Sequence, residues 1–174
     1  MKNVILSFVL LSMATFSSAG VADTSGLDAE DILYTVENQP SLYCLAQNIY
    51  FEARAENLAG QFAVADVTLN RVKDIRYPNS ICEVVKQGKK HANGQMKRHK
   101  CQFSWYCDGR SDKIRDNDSF KRAQTIAYMI VHYRKYRGIT EGATHYHAEY
   151  VSPRWAPELD LVGRIGMHIF YRWP

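Results

Sequence analysis

The chain has 174 residues and four cysteines; 46% of its residues are hydrophobic, and 22 Lys and Arg outweigh 18 Asp and Glu for a net charge of +4. That length accommodates one hydrophobic core and excludes two of ordinary size. The charge is unevenly divided: residues 41–174 carry 21 Lys and Arg against 13 Asp and Glu, a balance that suits an anionic surface or polymer without saying which.

Met1 and Lys2 precede an apolar run from Val4 to Phe16 that ends in Ser17-Ser18-Ala19. This is the layout of an export signal cleaved near Ala19; it is too short for a membrane anchor, and no stop-transfer charges follow it. Residues 1–19 are therefore expected to be a signal peptide and the mature protein to be exported, periplasmic or extracellular, with no stable membrane insertion. Residues 20–40 hold Asp23, Asp28, Glu30, Asp31 and Glu37 and no Lys or Arg. They read as a loosely packed acidic leader with one short helix at its end. Cys44, Cys82, Cys101 and Cys107 are an even set in an exported chain and favour disulfides, with three pairings open. A four-cysteine metal site is the competing reading, and the lack of any C-x-x-C pair weighs against it.

The main domain spans residues 41–174. Pro40-Ser41 offers a helix start with Ser41 as cap, and Leu42, Leu45, Ala46, Ile49 and Ala53 then follow the i, i+3, i+4 rhythm of one apolar stripe. At about 100° per residue, Glu52 and Glu56 fall on or beside that stripe while Arg54 points away. Gly60 is expected to end this helix, and Gln61 to Val72, rich in Ala and Val, to form a second, buried one. Tyr77-Pro78-Asn79 reads as a turn before a short third helix, Ser80 to Lys86. GKKHANGQMKRHK, residues 88–100, reads as a basic solvated loop, and CQFSWYCDG after it as an ordered aromatic loop. Ser119 to Arg137 should be the longest helix, with Ala123, Ile126, Ala127, Ile130 and Tyr133 inward and Gly138 as its stop. ATHYHAEYV and MHIFYRW alternate and should give short strands. The fold class is α+β, mainly helical with a small antiparallel sheet near the C-terminus.

A carboxylate on the apolar side of a helix loses water, which disfavours its charged form and raises its pKa. Such an acid is a proton donor near neutral pH, as glycosidic cleavage requires; lysozyme's acid is tuned to about 6 in this way. Glu52 is the candidate catalytic residue. The competing reading is a glutamate satisfied by a buried Arg or by backbone amides. Glu56 is a secondary candidate, but residues four apart on a helix project from one wall, whereas the two carboxyls of a retaining glycosidase bracket the bond about 5 Å apart. Asp108 is the other acid to nominate.

Gln102, Phe103, Ser104, Trp105 and Tyr106 are expected to line a sugar groove, since aromatic faces stack on pyranose rings and amides pair with hydroxyls. Tyr146, between two histidines, could stabilise developing charge, and His147 joins the binding set. His145 and His147 share one strand face and, with His168, could ligate zinc, although no H-E-x-x-H spacing is present. Lys89, Lys90, Lys97, Arg98 and Lys100 could serve a binding module instead. Nucleic acid is not the expected partner, because no reading motif is present.

The segments NIYFEARAE, GQFAVADVTLNRV, YPNSICEVVKQ, CQFSWYCDG, ATHYHAEYVSPRWA and RIGMHIFYR, in this order, resemble the cell wall hydrolase family typified by the spore-cortex lytic enzyme SleB, especially its Gram-negative, cysteine-bearing and phage-type members. The resemblance runs from about Leu42 to Arg172. It implies a lysozyme-like catalytic domain that acts on peptidoglycan glycan strands; the protein is expected to work as a monomer, without cofactor or metal. It also implies that Glu52, the first Glu of the family's E-A-R/S-G-E block, is the catalytic acid. Ala55 stands where relatives commonly have Gly, and the separate peptidoglycan-binding repeat of the spore enzymes is not seen. The expected activity is that of a lytic transglycosylase leaving 1,6-anhydro-N-acetylmuramic acid ends. The alternatives are a zinc-dependent N-acetylmuramoyl-L-alanine amidase and a non-catalytic module that binds wall glycan.

Overall fold

The computed structural model describes residues 28–174; the expected signal peptide and residues 20–27 of the acidic leader lie outside the described residues. Helix α1 (Ala29–Asn38) starts at Asp28, whose side chain accepts a hydrogen bond from the Asp31 backbone N–H at 2.8 Å. Glu30 and Asp31 in its first turn complement the positive end of the helix. Although its composition suggested loose packing, α1 buries Val36 completely in the main core, with Ile32 one turn earlier packed beside it.

Helix α2 (Pro40–Ala53) begins with Pro40, whose fixed φ is preset for a first helical position. Gln39, not Ser41, holds the cap position and makes no side-chain bond there. The expected stripe of Leu42, Leu45, Ala46 and Ile49 packs with Phe120, Ala123, Ile126, Ala127 and Ile130. After a short turn, Asn57 caps helix α3 (Leu58–Lys73) by accepting from the Gly60 N–H at 2.9 Å. Gly60 therefore sits in the first turn of α3 and does not end α2; a capping side chain three residues upstream decides the boundary.

Helix α4 (Ile81–Val85) is capped by Ser80 and joined to α2 by the Cys44–Cys82 disulfide. The basic stretch expected as a loop is a two-stranded antiparallel hairpin, β1 (Gly88–Lys90) and β2 (Met96–Cys101), exposed along most of its length. With both faces in water it shows no apolar alternation to read. The Cys101–Cys107 disulfide ties β2 to a short 3-10 helix, Ser104–Cys107.

Helix α5 (Asn117–His132) ends before the expected Arg137. Arg134 and Tyr136 take left-handed φ values of 54° and 57°, and Arg137 pairs with the fully buried Asp66 of α3. Asp66 also accepts from the Gly138 N–H at 3.0 Å and the Thr140 N–H at 3.1 Å. This buried anchor redirects the chain out of the helix, and Tyr133, expected inward, is 57% exposed. Strands β3 (His145–Ala148), β4 (Asp160–Ile165) and β5 (His168–Arg172) form an antiparallel sheet in the order β3-β5-β4. Phe170 of β5 packs with Ala63 and Val67 of α3, so sheet and helices share a second core. The architecture is α+β as expected. Among the described residues no helix is long and apolar enough to cross a membrane.

Candidate active site

A cleft of about 740 Å³ opens where the C-terminal end of α2, the 3-10 turn, the loop 108–115 and strand β3 meet. Glu52 lies in it, in the last turn of α2. Its Oε2 accepts a hydrogen bond from the Tyr146 hydroxyl at 2.8 Å. Desolvation raises the Glu52 pKa above the ordinary glutamate range; the Tyr146 bond and the positive charge of Arg71 oppose that rise without cancelling it. Burial, followed by the neighbouring Glu52 charge, pushes the Tyr146 phenol well above its usual range. Tyr146 therefore stays a neutral donor across physiological pH.

The aromatic wall is fixed from beneath. Trp105 Nε1 donates to Asn48 Oδ1 at 2.9 Å, and Asn48 Nδ2 donates to Thr68 Oγ1 at 3.1 Å, both inside the core. The Trp105 ring stacks on Phe51 at 4.6 Å between centroids and 22° between planes. The Tyr50 hydroxyl accepts from the Arg115 and Asp116 N–H groups at 3.3 and 3.2 Å, which ties the end of the 108–115 loop to α2. Asp108, on the rim, accepts from the Arg110 N–H at 2.7 Å. Burial and the charge of Asp108 push the nearby Asp112 carboxyl up.

Five of the residues expected in the site gather with Glu52 along the cleft: Ser104, Trp105, Asp108, Tyr146 and His147. Three do not. Gln102 is exposed and borders a shallow groove beside Lys89 and Lys100. Phe103 is 2% exposed and packs with Val84 and Val85. Tyr106 lines a separate groove between α4 and the hairpin. Gln102 and Phe103 lie in the bend before the 3-10 turn, and within the turn, at three residues per turn, successive side chains fan to different sides, so that Ser104 and Trp105 reach the cleft and Tyr106 does not.

Glu56 does not line the cleft. It clamps the β4–β5 turn: its Oε2 accepts from the Met167 N–H at 3.1 Å. His168 Nδ1, 3.6 Å from Oε1, is too far for a hydrogen bond. A side chain at Gly60 or at Gly166, which has φ +60°, would overlap the Glu56 carboxylate. The two glycines make the space that this acid fills.

The histidines divide between the two faces of the sheet. The register sets His145 opposite Tyr171, His147 opposite Ile169 and Ala148 opposite His168, and alternation then puts His145 and His147 on one face and His168 on the other. His147 Nδ1 lies 2.9 Å from the Ala148 carbonyl and Nε2 lies 3.0 Å from the Tyr171 hydroxyl. Burial, then Arg71 and Arg76, push the His145 pKa down to about 4. The three-histidine ligand set considered for zinc is not assembled. Among the described residues no three His, Cys, Asp or Glu side chains converge as a metal site.

Arg71 escaped the sequence reading. It is 4% exposed near the end of α3. Its Nε donates to the Thr144 carbonyl at 2.8 Å, and its guanidinium faces the rings of Phe103 at 4.8 Å and Tyr77 at 5.5 Å. Its one signal in the sequence is a charge at the end of a helix that otherwise reads as buried. Of the 108–115 loop the sequence nominated Asp108 alone, because the rest is polar and aperiodic; its ties to Tyr50 and Arg98 and the packing of Ile114 on the core hold it at the cleft.

A family model described as Cell Wall Hydrolase matches residues 55–171, beginning just after Glu52. Two solved structures are similar across the domain. The catalytic domain of the Bacillus cereus SleB protein shares 26% identity at a TM-score of 0.55, covering 76% of this chain and 89% of its own. The catalytic domain of the germination-specific lytic transglycosylase SleB from Bacillus anthracis shares 26% identity at a TM-score of 0.57, covering 77% of this chain and 95% of its own. No curated protein sequence matches. The lysozyme-like α+β fold expected from the sequence is the one these catalytic domains display. With its cleft, its desolvated glutamate and a family match over most of its length, the chain belongs to the cell wall hydrolase family.

Proposed function

We propose that this protein cleaves the glycan strand of peptidoglycan between N-acetylmuramic acid and N-acetylglucosamine as a lytic transglycosylase, with Glu52 as general acid and then general base. The observation that carries this reading is a cleft carboxyl whose protonated form is favoured by desolvation and which is held by one neutral donor, Tyr146. Protonated Glu52 gives its proton to the glycosidic oxygen as the bond to muramyl C1 breaks, and the N-acetylglucosamine side leaves with a free hydroxyl. The substrate's own acetamido group shields the oxocarbenium-like centre. The Glu52 carboxylate then removes the proton of the muramyl C6 hydroxyl, O6 closes on C1, and no water is consumed.

One acid performs both steps, so no second carboxylate is needed on the opposite side of the bond. The Trp105 and Phe51 stack gives pyranose rings an aromatic wall. A similar solved domain is named a lytic transglycosylase, which favours ring closure over hydrolysis. The substrate lies outside the cytoplasm, in keeping with the export signal expected at residues 1–19. A wall-binding module would have no use for a desolvated acid, and an amidase would need the histidines on one face. Mass analysis of fragments released from purified sacculi tests the reading. Anhydromuramyl ends are expected; reducing muramyl ends would make the enzyme a hydrolase, and freed stem peptides an amidase.

A further inference from the structure

Among the described residues Arg71 is a buried cation without a counterion: it forms no ion pair there and its Nη1 has no hydrogen-bond partner there, and arginine does not escape the expense of burial by losing its proton. Leaving such a charge unpaired in a core is strongly unfavourable. The surroundings hold it in place nonetheless, through the Thr144 carbonyl on one side and the faces of Phe103 and Tyr77 on others. Its guanidinium, planar and weakly hydrated, tolerates aromatic faces better than a lysine ammonium would. Phe103 and Tyr77, which the guanidinium faces, pack in one cluster with Tyr146, so the placement sets a fixed positive charge behind the residue that bonds Glu52, with no hydrogen bond or ion pair to Glu52 itself.

Contact would defeat the proposed chemistry. A bidentate Arg–carboxylate pair would hold Glu52 ionised and remove the acid. No cation at all would strand a carboxylate at a poorly hydrated site once the proton had left. Around Glu52 the other titratable and charged groups of the cleft are Tyr50 and Arg54 at the end of α2, Tyr146 and His147 on β3 with Tyr150 after it, His168 on β5, and Asp108, Arg110, Asp112, Lys113 and Arg115 on the rim loop, with Tyr77 beside Arg71. Of these, Tyr146 alone is bonded to Glu52. We propose that Arg71 is a positioning residue that balances the Glu52 carboxylate formed after proton donation, acting through Tyr146 and across space. This rests on the reading of Glu52 as the acid. The burial-driven rise of the Glu52 pKa, opposed in part by Arg71, agrees with it.

The test titrates the intact protein by NMR, following the Glu52 carboxyl carbon and the Arg71 Nε–H, the latter assigned by its loss in Arg71→Lys. The Arg71 signal should move with the midpoint of Glu52 and stay flat over that range in Glu52→Gln. In a parallel arm, Arg71→Gln should move the alkaline limb of wall digestion up by about one pH unit and lower turnover about tenfold, and Arg71→Lys should restore the limb. A structural role alone would leave that limb unmoved and gain nothing from lysine. An Arg71 signal blind to Glu52, or a folded Arg71→Gln with an unshifted limb, overturns the proposal. If Arg71→Gln does not fold, the titration of the unaltered protein decides. Normal digestion by Glu52→Gln would instead remove the acid assignment itself.

Discussion

The Tyr146 hydroxyl donates a 2.8 Å hydrogen bond to Glu52 Oε2 across 94 positions of sequence, joining sheet to helix at the cleft. The bond favours the carboxylate, so Tyr146→Phe should raise the Glu52 pKa further. The acid form then persists to higher pH, and the alkaline limb of kcat/KM should move upward. Turnover should fall about tenfold to hundredfold, the rate equivalent of losing a hydrogen bond to a charged group worth about 1.5–3 kcal/mol. A pH–rate profile that overlays the parent's would contradict this role.

Glu56 has a different task. Its hydrogen bond to the Met167 N–H and its fit against Gly60 and Gly166 close the β4–β5 turn. Glu56→Ala should therefore lower unfolding free energy by about 1–3 kcal/mol and leave kcat within a few fold. Gly166→Ala should destabilise by about 1–2 kcal/mol from its left-handed φ alone, and by more through overlap with Glu56. Denaturant melts beside turnover assays separate the two roles; equal activity losses for Glu56 and Glu52 variants would merge them.

The two disulfides should fail differently. Cys44–Cys82 spans 38 residues, and replacing both by Ser should destabilise by about 4 kcal/mol on loop entropy. Cys101–Cys107 spans six, and its loss should destabilise by about 2 kcal/mol but loosen the turn that presents Ser104 and Trp105. Thermal melts should register mainly the first pair and KM mainly the second.

Much of this was legible from residue patterns. The α2 stripe, the inward phase of Glu52 and the terminal strands all follow from apolar periodicity, because each element has one buried face. Where burial leaves no stripe, the reading failed. The hairpin at Gly88–Cys101 is wet on both faces, α5 stops early because Asp66 captures the turn after it, and α1 docks through two apolar residues amid acids. Within the site, Trp105 and Tyr146 could be nominated by residue type. The departure of Gln102 and Phe103 from the cleft depends on a bend, that of Tyr106 on the 3-10 turn after it, and the arrival of Arg71 on long-range packing; none of these has a period to detect.

The hairpin's charges should guide the enzyme to its polymer without taking part in the chemistry. Changing Lys89, Lys97 and Lys100, all exposed, to Gln should weaken association with sacculi about tenfold at low ionic strength. The difference should fade with added salt, and turnover of short soluble glycans should be unaffected. Sedimentation of protein with sacculi across a salt series measures it; a salt-independent loss would point to a specific contact.

The central claim concerns one proton. Purified Glu52→Gln, with a circular dichroism spectrum and melting transition showing it folded, should release no soluble muropeptides from sacculi under conditions where the parent clears them. Wall digestion by this folded amide variant at the parent's rate would contradict the account.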